Sequence, residues 1–226
     1  MTCTLELLLC EVDGRTDELE VEIDQVILIG YSGRDRAAVD EHIRELERLG
    51  VAPPPRVPAI YLVPPDLVTT AAAIEVRGAE TSGEAEFVLL PGPDGVLIGA
   101  GSDHTDRQHE ALDVSAAKAL CAKVMSRAVW RESALESHWD ALELRAWTTD
   151  QRGRTLYQAG RLDALLRPLD LLAEVERAGL STTRSLIFSG TLATIGGFIY
   201  SSRFEVELRD PVLKRRLGCA YDIRCN

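Results

Sequence analysis

Apolar and polar positions alternate along much of the chain, and this pattern predicts more strands than helices. The segments "TLELLLCE" and "ELEVEIDQVILIG", within residues 2–11 and 17–30, carry apolar and β-branched residues with partial alternation, which is typical of strands. Pro-Asp-Gly at 93–95 predicts a tight turn between two strands. Further strands are predicted around Ile60–Val63, within 72–102, in a hairpin that turns at 151–153, and in "SLIFSGT", "FEVELRD" and "LGCAYDIRC".

Helical periodicity is confined to a few segments. "GRDRAAVDEHIRELERLG" predicts a helix with Asp35 as N-cap and Gly50 just past its end. Other helices are predicted from Asp103 to about Ala122, over Glu132–Ala141, and before Gly179. Regular strand–helix alternation is absent, which argues against a parallel doubly wound sheet. We therefore expect a mostly-β α+β domain, a largely antiparallel sandwich or roll with a few peripheral helices.

Length and charge narrow the classes of function. The 226 residues predict a single domain, 1–226, in which residues 1–25 form N-terminal strands or an appendage. With 36 acidic and 25 basic residues the net charge is −11, which disfavours nucleic acid and membrane partners. Five cysteines without a C-x-x-C pair indicate free thiols in a reducing compartment. Because the apolar run Leu5–Cys10 is too short for export, we expect a cytoplasmic protein.

Three carboxylates are predicted to converge on one hairpin. Glu84 and Glu86 lie two positions apart on one strand and therefore share a face. If the next strand pairs back across the Pro-Asp-Gly turn, Asp103 approaches both glutamates. Converging carboxylates need compensation, which a hard divalent cation such as Mg²⁺, Mn²⁺ or Ca²⁺ provides. The alternative is a solvated strand face, as "FEVELRD" at 204–210 suggests.

The same residues resemble the metal site of the fumarylacetoacetate hydrolase superfamily, in which an E-x-E strand precedes a strand that ends G-x-D, with a basic residue four positions later. Three more segments between about residues 26 and 211 resemble that family in the same order: "DEHIRELE", "AAKALCAKVMS" and "LIFSGTLATIGG". "GYSG" replaces the family's G-x-N-Y, and Glu110 stands near the place of its substrate-facing glutamine. The chain is thus similar to a divergent branch of a family with a mixed β-sandwich or β-roll fold.

The resemblance implies a role for each matched residue. Glu84, Glu86 and Asp103 would bind Mg²⁺ or Mn²⁺, with Ca²⁺ as a further candidate. His42 and Glu45 would form a catalytic dyad that activates water, and Lys118 would neutralise an oxyanion. The expected substrate contacts are Tyr31, Arg34, Arg107, Gly190 and Thr191. The alternatives are a core histidine beside a surface glutamate, exposed charges, and a plain turn at a strand end.

The leading hypothesis is a metal-dependent hydrolase that cleaves a C–C bond in a small 1,3-dicarbonyl or 2-oxo acid through a metal-bound enolate. A decarboxylase, tautomerase or hydratase would use the same site. A hypothesis of another class is a non-catalytic metal-binding or assembly domain. The resemblance also implies a homodimer.

Overall fold

Strands account for about 48% of the chain and helices for 21% in the computed structural model, which describes residues 2–48 and 53–226. The strands are β1 (Cys3–Cys10), β2 (Thr16–Ile23), β3 (Gln25–Gly30), β4 (Ala59–Val63), β5 (Val68–Thr69), β6 (Ala73–Val76), β7 (Thr81–Ser82), β8 (Ala85–Gly92), β9 (Gly95–Asp103), β10 (Thr105–Asp106), β11 (Lys123–Met125), β12 (Ala128–Arg131), β13 (Glu143–Asp150), β14 (Gly153–Arg161), β15 (Ser185–Phe188), β16 (Arg203–Asp210) and β17 (Arg215–Cys225). The α-helices are α1 (Arg36–Arg48), α2 (Arg107–Glu110), α3 (Val114–Ala119) and α4 (Pro168–Arg177), and short 3₁₀ helices span Pro65–Leu67, Glu132–Ala134, Glu136–Ala141 and Leu162–Ala164.

Two mixed sheets form the frame of the molecule. The larger has the order β2-β1-β12-β9-β8-β15-β3-β4, with β11 joining β9 to β5. The smaller has the order β14-β13-β16-β17-β6, and β7 pairs separately with β10. Most pairings are antiparallel, whereas β1–β12, β3–β15, β5–β11 and β6–β17 are parallel. This architecture confirms the predicted mostly-β α+β class.

Strand β8 shows how the sequence fills the core on both faces of the larger sheet. Phe87 and Leu89 belong to one buried cluster, together with Phe204 from the smaller sheet. Val88 and Leu90, which alternate with them, belong to a second cluster on the opposite face. A strand buried on both sides is apolar throughout, so the only charged residue within β8, Glu86, stands out.

The hairpin β8–β9 forms as predicted, with Gly92 opposite Gly95 at the turn. The predicted helix α1 also forms, and Asp35 accepts hydrogen bonds from the amides of Ala37 and Ala38. Gly50, expected just past its end, lies outside the described residues.

The helices predicted over 103–122 and 132–141 were wrong in their extent. The chain from Asp103 to Ala122 holds only the short helices α2 and α3, which Asp106 and Asp113 cap separately. The segment 132–141 forms 3₁₀ turns that are interrupted at His138, where φ is −137°. Of the described helices, none combines the length and the apolar character needed to cross a membrane.

Candidate metal centre

The open end of the β8–β9 hairpin brings the three carboxylates together. Ala85 pairs with Ser102, and the amide of Asp103 donates to the carbonyl of Glu84 at 3.0 Å. Glu84 immediately precedes β8 rather than lying within it, while Asp103 ends β9. One oxygen from each of Glu84, Glu86 and Asp103 lies within 4.8 Å of the others. The hairpin register alone therefore assembles this group, which we call the acidic triad.

Two lysines neutralise part of the acidic triad. Lys118 Nζ lies 2.5 Å from Asp103 Oδ2 and 3.1 Å from Glu84 Oε2. Lys123 pairs directly across from Asp103 in the β9–β11 ladder, and its Nζ lies 2.7 Å from Asp103 Oδ1. Burial by itself would raise the pKa of Asp103, but the two lysines hold it well below its usual range. Asp103 is thus ionised and doubly paired.

Glu86 is different, because none of the described residues places a cation within ion-pair distance of it. Its carboxylate is 2% exposed and accepts one hydrogen bond, from the amide of Gly190 at 2.7 Å. Burial, followed by repulsion from Asp103 and Glu84, raises the pKa of Glu86 well above its usual value. A buried carboxylate without a paired charge, beside two other carboxylates, is the arrangement that an oxygen-seeking divalent cation completes. The donor set therefore fits Mg²⁺, Mn²⁺ or Ca²⁺.

Arg107 lies beside the acidic triad with one nitrogen still available. Its Nε donates to Ser82 Oγ at 2.7 Å, and its Nη1 contacts Glu84 at 3.1 Å and Glu110 at 2.7 Å. The guanidinium stacks 4.3 Å from the centre of the Phe198 ring. Its Nη2 is buried and has no hydrogen-bond partner within the described chain. A buried guanidinium with an unsatisfied donor is suited to hold an anionic group of a ligand.

A cavity of about 990 Å³ opens onto the two glutamates of the acidic triad. Glu84 and Glu86 line it together with Arg107 and Lys118. Ser32 also lines it, and its buried hydroxyl is without a partner in the described residues. A Cβ on Gly190 would lie only 2.2 Å from Ser32 Oγ, which places this hydroxyl next to the glycine whose amide binds Glu86. Unpaired donors of Ser32 and Arg107 thus stand near the two glutamates of the triad.

Other predicted substrate contacts lie at the cavity but are already engaged by the protein. Arg34 lines the cavity, yet its guanidinium donates to the carbonyls of Leu165 and Leu162 and pairs with Asp140 at 3.0 Å. Tyr31 lines it as well, with a left-handed backbone (φ 56°). Arg34 therefore fixes the cavity wall, and its charge is directed at Asp140.

The turn after β15 contributes backbone geometry rather than free polar groups. The amide of Gly190 is bound to Glu86, and the hydroxyl of Thr191 donates to the carbonyl of Ala85 at 2.8 Å. Gln158 Nε2 also donates to this hydroxyl, at 2.7 Å. Both residues line the cavity, and their polar groups hold β8 in place.

The predicted dyad residues lie on α1, whose residues Ala38 and Val39 line the cavity. The side chains of His42 and Glu45 are outside the described part of the structure. Their roles stay predictions.

Sequence reasoning missed Lys123 and Ser32. Lys123 lies five residues after Lys118, just past the predicted helix, and no strand was predicted there, so no pairing with Asp103 was expected. Ser32 gave no signal, because its neighbour Gly190 is 158 positions away in the sequence.

His104, next to a triad member, is not a base at neutral pH. Its ring is 0% exposed and lies 3.0 Å from both Tyr221 Oη and Thr81 Oγ1. Burial, followed by the nearby charges of Lys123 and Arg107, lowers its pKa to about 3. A neutral imidazole that connects two hydroxyls serves a structural role.

Comparison with known proteins supports the fold. Residues 29–221 match the family described as "Protein of unknown function (DUF2848)". No curated protein matches the sequence. Three similar solved structures carry informative names.

The first is 2-hydroxyhepta-2,4-diene-1,7-dioate isomerase from Mycobacterium marinum, with 14% identity, a TM-score of 0.65, and coverage of 94% of this chain and 82% of that one. The second is 2-keto-3-deoxy-D-arabinonate dehydratase complexed with magnesium and 2,5-dioxopentanoate, with 15% identity, a TM-score of 0.63, and coverage of 89% and 74%. The third is yeast ynq8, a fumarylacetoacetate hydrolase family protein, with 17% identity, a TM-score of 0.62, and coverage of 90% and 94%. The resemblance noted in the sequence is thus confirmed in the fold.

Proposed function

The chain belongs to the DUF2848 family, and on that premise we propose that it is a divalent-metal-dependent enzyme acting on a small oxo acid. The observation that carries this proposal is the acidic triad, in which buried Glu86 has no cationic partner within the described residues. The buried donors of Ser32 and Arg107 beside the triad support a ligand with an anionic head. A magnesium complex of a structurally similar dehydratase adds support for the class of cofactor.

Glu84, Glu86 and Asp103 would hold the cation. When bound, a divalent cation would supply the positive charge that stabilises an enolate during C–C cleavage, dehydration or isomerisation. Arg107 Nη2 and Ser32 Oγ would donate to the carboxylate of the oxo acid and so fix its orientation. Lys118 stays protonated, because Asp103 and Glu84 raise its pKa although burial opposes this. It would therefore act as a fixed positive charge and not as a base.

We assign the role of general base to His42. Ala38, which lines the cavity, precedes position 42 by one helical turn, and Glu45 follows three positions later. His42 would take a proton from water for hydrolytic C–C cleavage, with Glu45 fixing its tautomer. The names of the similar dehydratase and isomerase support an alternative in which the same site eliminates water or moves a double bond.

The metal site is tested by calorimetric titration of Mn²⁺ and Mg²⁺ into the protein and two variants. Glu86→Gln removes one ligand while matching the protonated, metal-free carboxyl group, so we expect it to fold and to weaken Mn²⁺ binding at least 100-fold. The matched control is Glu205→Gln, from the similar E-x-E pattern of β16, where Glu205 pairs with Arg154 on the surface. Equal affinity in all three proteins would refute the metal site.

Catalysis is tested separately with His42→Ala. We expect turnover of 2-oxo and 2,4-dioxo acids to fall at least 100-fold while Mn²⁺ affinity stays within twofold, because the histidine is not a ligand. His109→Ala is the matched control, since His109 is half exposed and pairs with Asp106. A wild-type protein that binds Mn²⁺ but turns over none of these acids would instead be a non-catalytic metal-binding domain.

A further inference from the structure

The cavity is chemically divided into a charged end and an apolar remainder. Glu84, Glu86, Arg107 and Lys118 form the charged end. The rest of the wall is built mainly from apolar and aromatic side chains, namely Ala38, Val39, Tyr61, Val114, Leu165 and Phe198. A volume of about 990 Å³ lies at the upper end of the range for sites that bind drug-sized ligands. The charged end alone accounts for only part of this space.

The described wall offers a cation for one carboxylate and none for a second. Lys118 is shared by Asp103 and Glu84, and Arg34 is held by Asp140 and two carbonyls. Arg107 retains a single unpaired nitrogen, Nη2. A terminal carboxylate at the far end of a ligand would therefore lose its hydration without gaining a charged partner.

The remaining charged side chains on the described wall are acidic, which further disfavours a second carboxylate on the ligand. Glu110, Asp35 and Asp163 also line the cavity, and Glu110 lies at the charged end, where it pairs with Arg107 Nη1 at 2.7 Å. Asp35 caps α1 and Asp163 pairs with Arg161 at 3.4 Å, so both are held in place by the protein. They repel a second anionic group and leave an apolar tail unaffected.

We propose that the site takes a 2-oxo acid with one carboxylate in its head and an extended apolar tail, alkyl or aryl, and that it rejects acids with a second carboxylate at the far end. This rests on the proposed function, which supplies the head-binding site, and adds the class of substrate. The head lies at the acidic triad and Arg107, and the tail lies along α1 and Val114.

The test uses a matched pair of ligands that differ only at the tail. 2-Oxohexanoate ends in a methyl group and 2-oxoadipate, of equal chain length, ends in a carboxylate. Calorimetric titration into the Mn²⁺-loaded protein should give a Kd for 2-oxohexanoate at least tenfold lower than for 2-oxoadipate. 4-Phenyl-2-oxobutanoate should bind more tightly still, because its ring buries more apolar area.

A charge introduced on the proposed tail wall should reverse this order. Val114→Arg places a guanidinium on the cavity wall one turn before Lys118, and we expect the variant to prefer 2-oxoadipate. The control is Leu112→Arg, since Leu112 is 85% exposed and outside the cavity lining, and it should keep the wild-type order. The wild-type titrations test the proposal independently of whether Val114→Arg folds.

Oxalate carries the anionic head of the ligand but has no tail. It therefore distinguishes a failure of the tail selectivity from a failure of the proposed metal-dependent function. If Mn²⁺ and oxalate bind but 2-oxoadipate binds as tightly as 2-oxohexanoate, the tail selectivity is refuted and the metal-dependent function stands. If neither Mn²⁺ nor oxalate binds, the proposed function itself fails, and the substrate class fails with it.

Discussion

Individual residues of the acidic triad differ in how their charge is compensated. Asp103 is held by two lysines and Glu84 by Lys118 and Arg107, whereas among the described residues Glu86 has only the amide of Gly190. Removal of a cation should therefore destabilise the metal-free protein, and addition of a divalent cation should compensate.

We predict this behaviour for Lys118→Met, which leaves Glu84 and Asp103 with one positive partner fewer. Breaking a buried ion pair typically costs about 3–5 kcal/mol, so the free energy of unfolding should fall by that order in the presence of a chelator. Saturating Mn²⁺ should recover much of the loss, because its charge replaces that of the ammonium group. Urea unfolding with chelator and with Mn²⁺ measures both effects.

Lys214→Met is the control, because Lys214 is exposed in the turn between β16 and β17. It should leave unfolding unchanged under both conditions. A loss in Lys118→Met that Mn²⁺ does not reduce would contradict compensation by a cation at the triad.

The sequence predicts the acidic triad because a single hairpin sets the positions of its three residues. Two-residue periodicity places Glu84 and Glu86 on one face, and the Pro-Asp-Gly turn sets the register that brings in Asp103. Ser32 and Lys123 depend instead on contacts with Gly190 and β9, which no local pattern encodes.

Among the secondary structure elements, the turn that follows β15 controls the geometry of Glu86. Gly190 adopts a left-handed backbone (φ 86°), and a Cβ there would lie 2.7 Å from the carbonyl oxygen of Ile29 and 2.2 Å from Ser32 Oγ. Glycine is required for both reasons, since other residues favour negative φ and carry a Cβ. The turn thus ties β3 and β15 to the carboxylate of Glu86.

We therefore predict that Gly190→Ala both destabilises the protein and weakens Mn²⁺ binding. Gly196→Ala is a matched control, because Gly196 has a similar φ of 80° but no described atom within 4 Å of the point where a Cβ would lie. The control should cost about 1–2 kcal/mol from backbone strain alone, and Gly190→Ala should cost clearly more. Urea unfolding and Mn²⁺ titration measure the two effects, and equal values for both variants would contradict the steric argument.

Element prediction succeeds where strand pairing is local and fails where it is not. The hairpins β8–β9 and β13–β14 form at their predicted turns. The strands β11 and β12 were missed because each has at most four residues and pairs with β9, β5 or β1, at residues that lie at least 20 positions away. Short segments of this kind gain their conformation from the sheet that receives them.

In the whole molecule, the site lies where the two sheets meet. His104 follows Asp103 at the end of β9, and its ring contacts Tyr221 on β17 of the smaller sheet. Gly83, next to Glu84, has no room for a Cβ because Phe204 of β16 would lie 2.6 Å away. The triad is therefore positioned by contacts that hold the two sheets together.

Because His104 is buried where the two sheets meet, we predict that the free energy of unfolding depends on pH. His104 has a pKa of about 3 in the folded protein and about 6.5 when unfolded. Between these values the unfolded state binds more protons, so the free energy of unfolding should fall as the pH is lowered through this window, by up to about 1.4 kcal/mol per pH unit. Above pH 6.5 the contribution is constant.

Glu86 has the opposite effect on the free energy of unfolding. Because its pKa is raised in the folded state, the folded protein binds this proton more tightly, and stability rises as the pH is lowered. The measurement is therefore made in the Glu86→Gln background, which removes this opposing contribution. Urea unfolding at pH 7.5, 6.5, 5.5 and 5.0 should show a decline below pH 6.5 that is smaller when His104 is also replaced by Gln. In NMR spectra the ring of His104 should stay neutral to pH 5. A titration midpoint near 6.5 would contradict its burial between the sheets.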